Sequence, residues 1–140
     1  MSAVIVAGAL VKVALFGGEN IQQLLHAARQ NMPHHRFLVL MGINMSQMVL
    51  AFAFDFHLLQ RSNAASFSGV AADAGMAGML FDFVYLSTLN FSIFGYSDVL
   101  PQTVPARIEN LVAILLAFVT VIFVLSDFIS LKESLRRTRD

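Results

Sequence analysis

The chain has 140 residues, one domain by length, and its 57% hydrophobic and 13% charged content is shifted far from that of soluble proteins. Nine Lys and Arg balance nine Asp and Glu, so there is neither a basic field suited to nucleic acid nor an acidic tail. The absence of Cys excludes disulfides and thiolate metal centres, and without Trp the membrane interface is left to Tyr and Phe.

Residues 2–16, "SAVIVAGALVKVALF", are apolar apart from Lys12. At about 15 residues this stretch is short of the roughly 17 a spanning helix needs, so it reads as a tilted or bilayer-thinning helix or one lying in the membrane. It lacks the positive start of a secretory signal. After Gly17-Gly18, "ENIQQLLHAARQNM" puts Ile21, Leu24, Leu25, Ala28 and Met32 on one stripe. That pattern predicts an amphipathic helix ended by Pro33, resting either on the membrane surface or on other parts of the protein. Together residues 1–36 form an N-terminal hydrophobic and amphipathic segment. The adjacent His34 and His35 beside Arg36 have no carboxylate partners in sequence and make a poor metal site.

Two stretches are long enough to cross a bilayer, which takes roughly 20 apolar residues. They are 37–59, "FLVLMGINMSQMVLAFAFDFHLL", and 108–131, "IENLVAILLAFVTVIFVLSDFISL". Backbone groups in hydrocarbon must pair within their own segment, so both are helices despite their Val, Ile and Phe. Arg29, Arg36, Lys132, Arg136, Arg137 and Arg139 flank the pair, while the intervening loop carries only Arg61 and Arg107. The positive-inside bias therefore puts both outer flanks in the cytoplasm, as expected of a plasma or inner membrane protein.

Within the loop, 60–79 is small-residue and Gly-rich and reads as an irregular, exposed connection. The following 80–92, "LFDFVYLSTLNFS", is apolar but too short to cross. A helix that enters the membrane and gives way to irregular chain is tolerated only inside protein or beside a water-filled path.

The register from Tyr85 to Pro101, "YLSTLNFSIFGYSDVLP", resembles the pore helix, filter and following turn of potassium-channel-type P-loop channels, whose filter reads T-V-G-Y-G-D. Gly95, Tyr96, Asp98 and Pro101 coincide with that pattern, and Arg107 falls where many bacterial two-helix channels carry an Arg. The resemblance implies an all-α membrane protein with an outer helix (37–59), a turret (60–79), a re-entrant pore helix (80–92), a filter (93–97) and an inner helix (108–131), followed by a cytoplasmic tail (132–140). Four copies would assemble as a homotetramer among membrane lipids. It implies passive conduction of potassium or mixed monovalent cations, potassium before sodium, with no other cofactor, no catalysis and no separate ligand-binding domain. Filter carbonyls of Ile93, Phe94, Gly95, Tyr96 and Ser97 would replace the ion's hydration shell.

The same alignment marks departures. Ile93 removes the hydroxyl of the innermost Thr, Phe94 enlarges a Val position, and Ser97 replaces a Gly whose backbone geometry other residues adopt only with strain. Leu89 stands where some members carry a Glu that holds the Asp after the filter, so Asp98 needs a new partner, with Tyr85 or a neighbouring subunit as candidates. Asn90 is positioned to bond the back of the filter, with Ser92 beside it. These changes argue for reduced selectivity, and the Ile93-Phe94 pair leaves open a non-conducting structural or regulatory subunit that kept the architecture. Ala117 aligns with the glycine hinge; with no Gly or Pro in 108–131, a sharp bend there is not expected. Asp127 is a candidate inner acidic ring, competing with a salt-bridged boundary residue. Asp55 and His57 close the outer helix, where hydration or pairing with another subunit competes with a functional role. Glu109 and Asn110 read as packing or capping partners.

Overall fold

This computed structural model describes residues 34–71, 75–92, 95 and 97–137, with side chains from residue 35 to 126, and only scattered positions before residue 34. The expectations for residues 1–33 therefore lie largely outside the described residues, as do those for Ile93, Phe94 and Tyr96 and for the side chain of Asp127.

The described chain is mainly helical. Helix α1 is His34–Ser62, α2 is Gly75–Phe91 and α3 is Val104–Arg137, with two-residue strands β1 (Phe67–Ser68) and β2 (Leu100–Pro101) in the connections. Two of these helices are long and apolar enough to cross a membrane, over His35–Ser62 and Val104–Ser126.

Helix α1 buries Phe37, Met41, Asn44, Met48, Phe52, Phe56 and Leu59 at spacings of three or four. Its opposite face, with Val39, Ile43, Leu50, Phe54 and Leu58, is exposed yet equally apolar. A helix apolar on every side is suited to lipid. Its end is held by the chain folding back onto the Leu59 carbonyl and the Gln60 side chain. The Asn63 amide donates to the Leu59 carbonyl at 3.0 Å, Ser66 Oγ donates to the same oxygen at 3.1 Å, and the Phe67 amide donates to Gln60 Oε1 at 2.9 Å.

Helix α3 begins with Pro105 in its first turn, where a missing N–H costs nothing. It buries Ala106, Glu109, Ala113, Leu116, Ala117 and Thr120. Small residues on this stripe let helix backbones approach closely without a hydrophobic drive from water. Leu111, Leu115, Phe118 and Ile122 face outward. The helix runs unbroken through Ala117, as the lack of Gly and Pro predicts. Its 34 residues correspond to about 51 Å, so it outlasts a hydrocarbon core of about 30 Å.

Helix α2 packs against both long helices. An aromatic cluster joins it to α1 and the loop: Phe56 meets Phe67 edge-on at 5.4 Å, Phe67 meets Phe83 at 5.1 Å, and Phe52 lies 6.5 Å from Phe91. Edge-to-face arrangements of this kind are the favoured aromatic geometry.

The connection over 60–79 differs from the irregular, exposed loop that its composition predicts. Helix α1 runs on to Ser62, Ser66 and Phe67 are buried, and α2 starts at Gly75. Strand β1 pairs antiparallel with β2, setting Phe67 opposite Pro101 and Ser68 opposite Leu100. A buried aromatic flanked by serines anchors what small residues alone would leave loose.

Candidate functional site

The site is set by the path of the chain through α2. Phe91, its last residue, touches Phe52, ten positions before the end of α1 and so about 15 Å along that helix. A groove of about 420 Å³ beside the end of α2 is lined by Thr88, Phe91 and Ser92 on one side and by Met45, Ser46 and Val49 on the other. Those α1 residues lie near its midpoint. Helix α2 thus stops halfway along α1, and the chain then returns to the end it came from, where β2 meets β1. Residues 92–100 cover that return with an extended reach on the order of 25–30 Å, which is ample for the climb.

The turn at the bottom is capped locally. The Ser92 amide donates to the Thr88 carbonyl at 2.9 Å, and Ser92 Oγ donates to the Leu89 carbonyl at 3.0 Å. Gly95 has φ 64°, a left-handed conformation that only glycine adopts without strain. It is exposed, so its backbone is open to a partner outside this chain. Two residues on, Ser97 Oγ accepts a hydrogen bond from the Val99 amide at 3.1 Å and holds the next turn.

A cavity of about 170 Å³ lies between α2, the returning segment and α3, with Asn90, Gly95, Ser97, Asn110, Ile114 and Phe118 among its walls. The Asn90 amide nitrogen donates to Asn110 Oδ1 at 2.8 Å across it. Asn90 is therefore tied to α3, and Asn110 is a lateral bridge, not a helix cap; the expected bond from Asn90 to the back of the filter falls on residues outside those described. Glu109 beside it is fully buried six positions into the helix start, which also rules out capping.

Tyr85 does not hold Asp98. Both are exposed, and among the described residues no hydrogen bond joins them. Asp55 and His57 are buried, not hydrated, at 7% and 5% exposure. The His57 ring lies edge-on to Phe83 at 6.4 Å, and among the described residues neither ring nitrogen has a hydrogen-bond partner. No group of three or more His, Cys, Asp or Glu suited to a metal occurs among the described residues.

Two further residues bear on the site. Gly69 has φ 81°, and a Cβ built there would overlap the Asp98 carbonyl oxygen and lie 2.8 Å from its carbon and 3.3 Å from Val99 Cα. The Gln102 amide donates to the Ser66 carbonyl at 2.8 Å, and Gln102 Nε2 donates to Ser68 Oγ at 2.8 Å. A lone Gly just after the alternating Ser-Phe-Ser is a sequence signal for close backbone approach, and it was available at Gly69.

No protein-family model matches the chain, and no curated protein or solved structure shows significant similarity to it.

Proposed function

We propose that the chain is the pore-forming subunit of a homotetrameric cation channel that conducts potassium or mixed monovalent cations passively and catalyses no reaction. The observation that carries this reading is the path of the chain: a short helix ends halfway along α1, and the chain returns by way of a left-handed Gly95 to the side it came from. Irregular backbone at membrane depth is stable only when covered by protein or facing water. A fourfold axis beside Gly95 supplies the water, and three further copies supply the cover.

In this reading the backbone carbonyls of residues 93–97 line the axis and take the place of ion hydration, while the carbonyl end of α2 adds partial negative charge below them. Tetramerisation also accounts for the exposed apolar residues of α3. The chain sits in a plasma or inner membrane with its C-terminus cytoplasmic, following the basic flanks. In this reading Asp127, near the cytoplasmic end of the apolar run, is the candidate acidic ring.

Potassium and sodium flux into vesicles reconstituted with the full chain tests the proposal. Cation flux that exceeds that of empty vesicles and falls off with ion size supports it; tetramers that pass neither ion across the tested pH and voltage range remove it.

A second reading, a non-conducting pore-like structural or regulatory subunit, is favoured by the sequence at Ile93 and Phe94, which stand where the aligned filter pattern has Thr and Val. The double change Ile93→Thr with Ser97→Gly separates the two. Potassium flux created in that variant and absent from the parent favours the second reading.

A further inference from the structure

We infer that the first stretch of the outer connection, residues 66–69, is a strap that positions the returning segment, with Gly69 and Gln102 as its positioning residues for ion selection. The inference rests on the channel reading above.

Three independent contacts hold the strap. The β1–β2 pairing sets Ser68 directly opposite Leu100. Gln102 stitches both sides of that pairing, its main-chain amide donating to the Ser66 carbonyl and its side chain donating to Ser68 Oγ, each at 2.8 Å. Gly69 presses its bare Cα face against the main chain of Asp98 and Val99, so closely that no side chain fits between them. The strap itself is seated by Phe67, which is buried against Phe56 and Phe83.

These contacts end where the candidate conduction backbone begins. Ser97 is bonded to the Val99 amide, Val99 leans on Gly69, and Gly95 is two residues further. A carbonyl that coordinates a dehydrated ion must be placed to within about half an ångström. The chain immediately above the carbonyls therefore cannot drift, and in this protein the strap prevents that drift. The Asp98 side chain, exposed and with no hydrogen bond to Tyr85 among the described residues, has no part in it, so the strap takes over the role of a side-chain link between the short helix and the chain after the filter.

The absence of native Cys makes the test direct. Residues opposed across antiparallel strands have Cα atoms about 4.5–5.5 Å apart, within the range a disulfide spans. Four forms of the full chain are reconstituted: wild type, Gly69→Ala, Gln102→Ala, and Gln102→Ala carrying Ser68→Cys and Leu100→Cys. The readout is the potassium-to-sodium permeability ratio, with particle mass as the assembly control.

The expected result is that Gly69→Ala and Gln102→Ala keep the wild-type mass and shift the ratio at least threefold. Oxidation of the cysteine pair restores it, and reduction abolishes the rescue. Should Gly69→Ala fail to assemble, Gln102→Ala and its reversible rescue still decide the matter. A conducting wild type whose ratio is unchanged in Gln102→Ala, or not restored by oxidation, overturns the strap alone. A silent wild type overturns the channel reading and the strap with it.

Discussion

The side-chain amide of Asn90, at the end of the short helix α2, donates a 2.8 Å hydrogen bond to Asn110 Oδ1 on α3. Asn90 is 7% exposed, so the amide cannot exchange this partner freely for water. Side-chain hydrogen bonds between membrane helices are worth about 0.6 kcal/mol on average and up to about 1.7 kcal/mol. A double-mutant cycle over Asn90→Ala and Asn110→Ala, read by unfolding in mixed detergent, should give a coupling of about 1 kcal/mol. A coupling near zero would show that the bond is not made in the membrane.

The aromatic cluster predicts opposite outcomes for two phenylalanines on one helix. Phe56 is fully buried against Phe67 and Phe83, whereas Phe54, two positions earlier, is 52% exposed. Phe56→Ala should destabilise the protein by about 3–5 kcal/mol, in the range for buried aromatics. Phe54→Ala should change it by no more than about 0.5 kcal/mol. Equal losses at both positions in an unfolding titration would contradict the orientation of α1.

Ala117 is fully buried in α3 where the helix meets its neighbours. Ala117→Leu should cost about 1–3 kcal/mol through overpacking, while Leu115→Ala on the exposed face should be mild. Ala117→Gly should cost about 1 kcal/mol of helix stability. In the channel proposed above, and since α3 is unbroken at this point, the Gly variant is also expected to leave the conduction threshold unchanged; easier opening in flux measurements would make Ala117 a hinge.

The two long helices were legible in the sequence as apolar runs, but their ends were not. Hydropathy alone sets them at 37–59 and 108–131, whereas the helices are His34–Ser62 and Val104–Arg137. Helix and hydrocarbon are different quantities: α1 continues past its apolar run to Ser62, and α3 accepts Pro105 in its first turn, so both exceed their apolar cores. The short helix α2 was visible as an apolar run too short to cross a membrane, although its start moved from 80 to Gly75. The β1–β2 pairing was out of reach. It joins residues more than thirty positions apart through strands of two residues each, too short for any alternation to register. At Gly95 the structure shows a left-handed φ, a conformation that glycine adopts without strain. The partner of Asn90 was not legible, because it lies on another helix.

In the proposed channel four copies enclose an axis at Gly95, and a map of the purified particle in mild detergent or lipid decides whether they do. The account predicts fourfold symmetry, with α2 of each copy pointing inward and density on the axis beside Gly95. A monomer, a dimer, or a particle in which the backbone around Gly95 faces lipid would contradict it.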